Sequence, residues 1–301
     1  MVSNPRISQL LVETQAYRDL PQPVILTSGE LGIYYINTEK LVQDGGEWEK
    51  VGDNSPAMIA HAIRMMCEHP TFREVIEILK ERADELLRSH PSPLRAGTSY
   101  AISGGQRRDW LFSGPVARQL SLPHLSIYKD GKIEAIDEYG NIVDSGLEGL
   151  IALHISDLLT EASSCYRTEW GKELGWVPSL RSKGVHVFDL LAVVTRGQGG
   201  ERNLAHHGVY AEALVAIDED FLRRHSTNPQ RALVYQKNPG EFSEQYLRET
   251  GALALLPAFD PQKQKDDRAT KFLQRYGDVL KDAGRWEKLN NAVREKYSRH
   301  L

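Results

Sequence analysis

Two stretches carry residues whose types and spacing could do chemistry. In AISGGQRRDWLFSGPVARQL (101–120) an apolar run ends in Gly104 and Gly105, passes through Gln106, Arg107 and Arg108, and enters a helical pattern near Pro115. Glycines let backbone N–H groups approach a ligand closely, a helix start adds partial positive charge, and two guanidinium groups supply forked donors. That is chemistry for holding a phosphate-type anion. A glycine turn beside a surface arginine pair, salt-bridged to Asp109 or a neighbour, fits the same residues equally well. In VHVFDLLAVVTRGQGGERN (185–203), Thr195 offers a hydroxyl, Arg196 and Gln198 alternate with glycine, and Gly197, Gly199 and Gly200 permit positive φ. Asp189 inside the apolar run could accept ribose hydroxyls or hold a hydrated magnesium ion. Taken alone, this second stretch fits a strand with a capping aspartate and a loose turn better than a ligand site.

The elements that must position these residues follow from periodicity. Residues 6–20 place Ile7, Leu10, Leu11 and Ala16 at helical spacing and stop before Pro21. PVILTSGELGIYYINTEKL reads as a hairpin-like unit around a Ser-Gly turn. Ser55 as cap and Pro56 at the first helical position open a helix, and residues 71–90 form another with Val75, Ile76, Leu79, Ala83 and Leu86 on one face. Strands are expected at 98–105, 124–130, 185–194 and 212–218, a helix at 113–120, a hairpin at 131–143 and a strong helix at 147–163. Strand–helix alternation across short glycine turns predicts an α/β fold, a central mainly parallel sheet covered by helices. It is preceded by an N-terminal hood segment and followed by a C-terminal helical extension. The expected domains are 1–225, including the hood at 1–50, and the helical extension at 226–301.

Composition bounds the function. With 301 residues, 41% hydrophobic and 26% charged, the chain has the composition of a globular protein with a sizeable core. A net charge of -4 argues against nucleic-acid binding through bulk positive charge, although residues 261–301 are locally basic. No secretory signal pattern or membrane-length apolar run is apparent, and two distant cysteines, Cys67 and Cys165, suit a reducing cytoplasm. Adjacent His206 and His207 lack metal-site spacing, Ser103 lacks the glycine two positions before it that a nucleophile elbow needs, and His154 reads as a packed or solvated residue on the 147–163 helix.

In order along the chain, three segments resemble the type I phosphoribosyltransferases, and among them orotate phosphoribosyltransferase. VILTSGELGIYYINTEKL is similar to that family's base-site segment. SYAISGG followed by SGPVARQLSLPHLSIYK is similar to its pyrophosphate loop, helix and lysine-ended strand, and VHVFDLLAVVTRG stands in place of its phosphoribosyl-pyrophosphate motif. The resemblance implies magnesium-dependent transfer of ribose 5-phosphate from phosphoribosyl pyrophosphate to a nitrogenous base, in a homodimer. It implies that Gly104, Gly105, Gln106, Arg107 and Arg108 hold pyrophosphate, that Lys129 neutralises it, and that Asp189 binds ribose or magnesium-linked water. Thr195, Arg196, Gly197, Gln198, Gly199 and Gly200 would cradle the 5-phosphate, and Ser28, Tyr34 and Tyr35 would line the base. Asp189 is followed by Leu190 where the family pattern has a second acid. This keeps open an alternative, a non-catalytic protein of the same fold that binds a nucleotide or phosphoribosyl pyrophosphate.

Overall fold

The structure, a computed structural model, describes residues 3–26, 28–89, 99–144, 146–261 and 267–298. In chain order the first elements are α1 (Pro5–Glu13), β1 (Tyr17–Ile25), β2 (Leu31–Ile36), α2 (Trp48–Val51), α3 (Ser55–Glu68) and α4 (Pro70–Ser89). The central run is β3 (Tyr100–Gly105), α5 (Arg108–Leu120), β4 (His124–Ile127), β5 (Ile133–Ile136), β6 (Ile142–Val143), β7 (Ile151–Leu159), β8 (Arg167–Glu169) and β9 (Lys172–Leu174). Then follow α6 (Trp176–Arg181), β10 (His186–Thr195), α7 (Gly200–His206), β11 (Tyr210–Ala216), α8 (Glu219–His225), α9 (Pro229–Lys237), α10 (Pro239–Thr250), α11 (Arg268–Asp282) and α12 (Trp286–Tyr297).

The chain forms two units, Met1–Ala16 with Asn37–Asp218, and Tyr17–Ile36 with Glu219–Leu301. The first holds a seven-stranded sheet of order β11-β10-β7-β3-β4-β5-β6. Its first five strands are parallel, and β5 and β6 add an antiparallel edge. This is the α/β architecture expected from the strand–helix alternation. The core of this unit includes Ala101, Leu125, Ala152, Leu190 and Ala192 from the strands, with Val177 and Leu180 from α6 and Leu204 from α7. Among the described residues no helix is long and apolar enough to cross a membrane.

Three expected elements differ. The stretch 147–163 is not a helix: Ile151–Leu159 forms β7, a central strand between β3 and β10. Leu147, Leu150, Ile151, His154, Ile155 and Leu158 fall at helical spacing by coincidence. A strand covered on both faces has no polar–apolar alternation to betray it, and eight of its nine residues are buried. The first helix stops at Glu13, and Tyr17–Ile25 is a strand paired with β2. Its prolines, Pro21 and Pro23, fall where the pairing register shifts between Asp19 and Val24, a place that tolerates a missing donor. Finally, α5 begins at Arg108 rather than near Ser113, and Pro115 lies inside it.

The second unit contains the β1–β2 hairpin and helices α8–α12. Ile25 and Leu31 of the hairpin share one core with Leu247, Phe259, Phe272, Tyr276, Leu280 and Val293. The hairpin expected as part of a hood on the α/β domain therefore shares its core with the C-terminal helices, because its apolar face is buried among them.

Candidate functional site

The order of the sheet places a topological switch point between β3 and β7. From β3 the chain crosses through α5 to β4 on one side, and later returns on the other side as β7, β10 and β11. In open parallel sheets the crevice at the carboxyl ends of the two strands flanking such a reversal is where ligands bind. The register sets Ser103 opposite His154 and Thr195 opposite Leu159, so β3, β7 and β10 end along the same edge.

Three turns leave that edge. After β3, the Gly105 N–H donates to Asp109 Oδ2 at 3.1 Å and the Gln106 N–H to Ile127 O at 2.8 Å. The Gln106–Arg107 peptide is cis, and Arg108 opens α5. After β7 comes the turn Thr160-Glu161-Ala162-Ser163-Ser164. After β10 comes the 196–200 turn, whose Arg196 N–H donates to Leu159 O at 2.9 Å and whose Gly200 N–H donates to Thr160 O at 3.0 Å. The outer turn thus braces the one after β7.

Carboxylates knit the crevice together. Asp109, in the first turn of α5, accepts the Asp157 N–H at 2.9 Å through Oδ1 and the Gly105 N–H through Oδ2. It thereby ties the ends of β3 and β7 to one side chain. Burial, reinforced by the Asp157 carboxylate, pushes the Asp109 pKa well above the ordinary range, against the two backbone donors. Asp157, two residues before the end of β7, accepts the Thr38 hydroxyl at 2.6 Å and lies 3.6 Å from Arg108 Nε. Arg108 Nη1 also faces Glu39 Oε1 at 3.7 Å, and burial raises the pKa of that acid despite the nearby arginine. Arg107 sits 5.0 Å from the Trp48 ring centroid, with Nε 3.4 Å from Asp53. Both arginines therefore meet acids from the 37–54 segment, and Arg108 meets Asp157 as well.

Beneath this edge runs a buried polar chain. Ser103 Oγ lies 3.0 Å from His154 Nδ1, while His124 sits between Ser113 Oγ at 2.8 Å and Ser126 Oγ at 2.9 Å. Burial drives both imidazoles down to about 3, so they are neutral hydrogen-bonding groups in the folded protein. His154 is thus a packed residue of a central strand and not of a helix.

The other residues singled out in the sequence fall as follows. Gly104 and Gly105 are required by packing: an added Cβ would lie 2.2 Å from Ser113 Oγ at 104 and 2.3 Å from the Trp176 indole at 105. Gly200 is similar, with Thr160 O 2.4 Å from its added Cβ, whereas Gly197 and Gly199 have open space and positive φ. The Thr195 hydroxyl donates to Glu201 Oε1 at 2.5 Å and accepts the Gly197 N–H at 3.1 Å, which sets an acid where a 5-phosphate was expected. Lys129 is exposed, and its backbone N–H donates to Gln106 Oε1 at 2.8 Å, linking the turns after β3 and β4. Asp189 is not brought to the edge. It pairs with Leu153 and Tyr210 near the start of β10, and six residues of strand separate it from Thr195 by about 20 Å.

The residues expected to line a base belong to the second unit. Tyr34 is buried there, its ring 5.6 Å from both Tyr17 and Tyr235, while Ser28 and Tyr35 are exposed and Arg18 lies over the Tyr35 ring at 5.6 Å. Among the described residues no three His, Cys, Asp or Glu side chains group to hold a metal ion. Sequence reading missed Asp109, Asp157 and the 160–164 turn. The cluster of small and polar residues closing the apolar run was the available signal for that turn.

No family model matches the chain, and no curated protein matches it. Among solved structures it is similar in fold to phosphoribosyltransferases. One is the orotate phosphoribosyltransferase from Aeropyrum pernix, with 18% identity over 72% of this chain and 98% of that chain and a TM-score of 0.48. Leishmania donovani UMP synthase is similar at 16% identity over 79% of this chain and 42% of that chain, with a TM-score of 0.46. The adenine phosphoribosyltransferase from Trypanosoma brucei, solved with AMP, pyrophosphate and ribose-5-phosphate, is similar at 12% identity over 70% of this chain and 80% of that chain, with a TM-score of 0.41.

Proposed function

We propose that the first unit binds phosphoribosyl pyrophosphate at the β3–β7 switch point and transfers its ribose 5-phosphate to a nitrogenous base of the orotate type. The observation that carries this reading is the pair of turns after β3 and β7, joined across the switch point by Asp109 and flanked by Arg107 and Arg108 at the start of α5. In the reaction the bond from ribose C1 to pyrophosphate breaks, a bond from C1 to the base nitrogen forms, and the base releases a proton to solvent. Arg107 and Arg108 would exchange their carboxylate partners for the pyrophosphate, as forked donors matched to phosphate oxygens. The turns at 160–164 and 196–200 would hold the 5-phosphate end, and Lys129 would add charge near the pyrophosphate. Magnesium would enter with the pyrophosphate. Asp157 is the strand-edge carboxylate able to accept its bound water, whereas Asp189 lies too far along β10 for that task.

Calorimetric titration with phosphoribosyl pyrophosphate and magnesium tests the site. Arg108→Ala is expected to weaken binding by at least about tenfold, roughly 1.4 kcal/mol, and absence of binding at millimolar ligand would overturn the reading. Pyrophosphate release with orotate, uracil and adenine then identifies the base. A second reading, a non-catalytic sensor of the same compound, draws on the acids already facing both arginines and on Glu201 at Thr195. It predicts binding without pyrophosphate release for any base. The homodimer proposed with the enzyme is checked by light scattering of the full chain.

A further inference from the structure

The second unit carries an open cavity of about 640 Å³, most of whose lining residues are exposed and which none of the expected site residues lines. Its walls come from the Pro21–Gln22 bulge of β1 and from α9 and α10, and its volume falls within the range of small-ligand pockets, about 300–1,000 Å³. One wall is aromatic: Phe242 and Tyr246 stand one helical turn apart on α10, their rings nearly parallel at 12° with centroids 6.5 Å apart. Tyr235 meets the Phe242 ring edge-on at 5.5 Å and holds it in place.

The polar groups are of a particular kind. Gln22, Asn228, Gln230 and Gln245 bring four carboxamides to the cavity. Gln22 accepts the Tyr246 hydroxyl at 3.1 Å, which leaves its amide N–H groups as donors, and Gln245 donates to Glu249 at 2.9 Å, which leaves its carbonyl oxygen as an acceptor. Asn228 likewise accepts the Arg231 N–H at 3.2 Å, so the amide donors of Gln22 and Asn228 and the carbonyl of Gln245 together form the complement of the N–H and C=O edge of a planar heterocycle. The charges balance. Arg231 lies over the Phe242 ring at 5.9 Å and donates to Leu20 O at 3.4 Å, and Glu249 supplies the opposite sign. A phosphate would find one guanidinium, already committed to a carbonyl, beside a carboxylate.

We infer that this cavity is a second binding site, for an uncharged planar heterocycle of the nucleobase or nucleoside class, stacked on Phe242 and Tyr246 and read by the carboxamides. The inference requires nothing of the strand-end site in the first unit. Saturation-transfer NMR on the full chain with adenine, uracil, adenosine, uridine, AMP and inorganic phosphate tests it. Transfer is expected to the free bases or nucleosides at low-millimolar concentration, weaker transfer to AMP, and no loss of the base signal when inorganic phosphate is added as a competitor. Val234, exposed on the cavity wall, tolerates substitution without loss of core. Val234→Glu should therefore weaken the base signal by about tenfold or more, a difference of roughly 1.4 kcal/mol, with an unchanged melting curve and unchanged phosphoribosyl pyrophosphate titration. No transfer from any base or nucleoside would overturn the inference. So would transfer that persists at full strength in both Val234→Glu and Gln245→Ala, or binding in which inorganic phosphate competes. Loss of phosphoribosyl pyrophosphate binding with base binding intact would instead overturn only the strand-end reading.

Discussion

Gly105→Ala separates two accounts of the glycines that end β3. If Gly105 is there to let a ligand approach, alanine should impair binding and leave folding alone. The structure places its added Cβ 2.3 Å from Trp176 Cε2, 2.4 Å from Nε1 and 2.9 Å from Cδ2, so something must move. The backbone at 105 is pinned by its bond to Asp109 and by pairing with Ile127. The indole must yield, and the Trp176 backbone, whose N–H donates to Ser164 O at 3.0 Å, is tied to the turn region after β7. Overpacking of this kind costs about 1–3 kcal/mol. Taking about 2 kcal/mol, with roughly 2–4 °C per kcal/mol for a unit of this size, the melting point should fall by about 4–8 °C. Urea unfolding and thermal melts of Gly105→Ala, Trp176→Leu and the double variant measure it as a cycle. Alanine at 105 should cost less than about 0.5 kcal/mol once Trp176 is leucine, because the clashing atoms are gone. A Gly105→Ala variant as stable as the parent, or one equally costly in the Trp176→Leu background, would refute the packing argument.

Other outcomes follow from the same geometry. The Asp109 pKa is raised on folding, so the stability this group contributes is fully present below its unfolded value near 4 and is lost as pH rises from there through the folded value. Asp109→Asn, uncharged throughout, should flatten that part of the profile of urea midpoint against pH while costing about 1–3 kcal/mol at low pH for a mispaired backbone N–H; parallel profiles for parent and variant would contradict it. Gly200→Ala should destabilise by more than about 2 kcal/mol because its Cβ meets the Thr160 carbonyl, whereas Gly197→Ala, with open space and only a positive φ to accommodate, should cost about 1 kcal/mol; chemical denaturation ranks the two. Asp189→Asn should leave phosphoribosyl pyrophosphate affinity within about twofold of the parent, and a loss near tenfold by calorimetry would return this residue to the site.

What could be read in the sequence, and what could not, divides along physical lines. The α/β class was legible because β3, the later half of α5, β4 and β10 announce themselves locally, by apolar runs of element length and glycine punctuation. The switch point was not, because it depends on which side of β3 the strand β7 lies, a long-range fact. With 147–163 read as a helix, the resemblance to a phosphoribosyl-pyrophosphate motif rested on the next strand and on the glycines at 197–200 that follow it. In the sheet those glycines close the outer turn, and one of them exists so that α7 can start against the Thr160 carbonyl. The aspartate that looked solitary at 189 belongs to the early part of β10, while the two acids at the strand edge, Asp109 and Asp157, lie 48 residues apart in sequence and meet through a backbone N–H at 2.9 Å. No local pattern marks such a pair. Asp109 directly follows the arginine pair, where it reads as an ordinary helix-start acid, and Asp157 sits in an apolar run. Only the parallel register of β3 against β7 gives them a common address, at the carboxyl edge of the sheet.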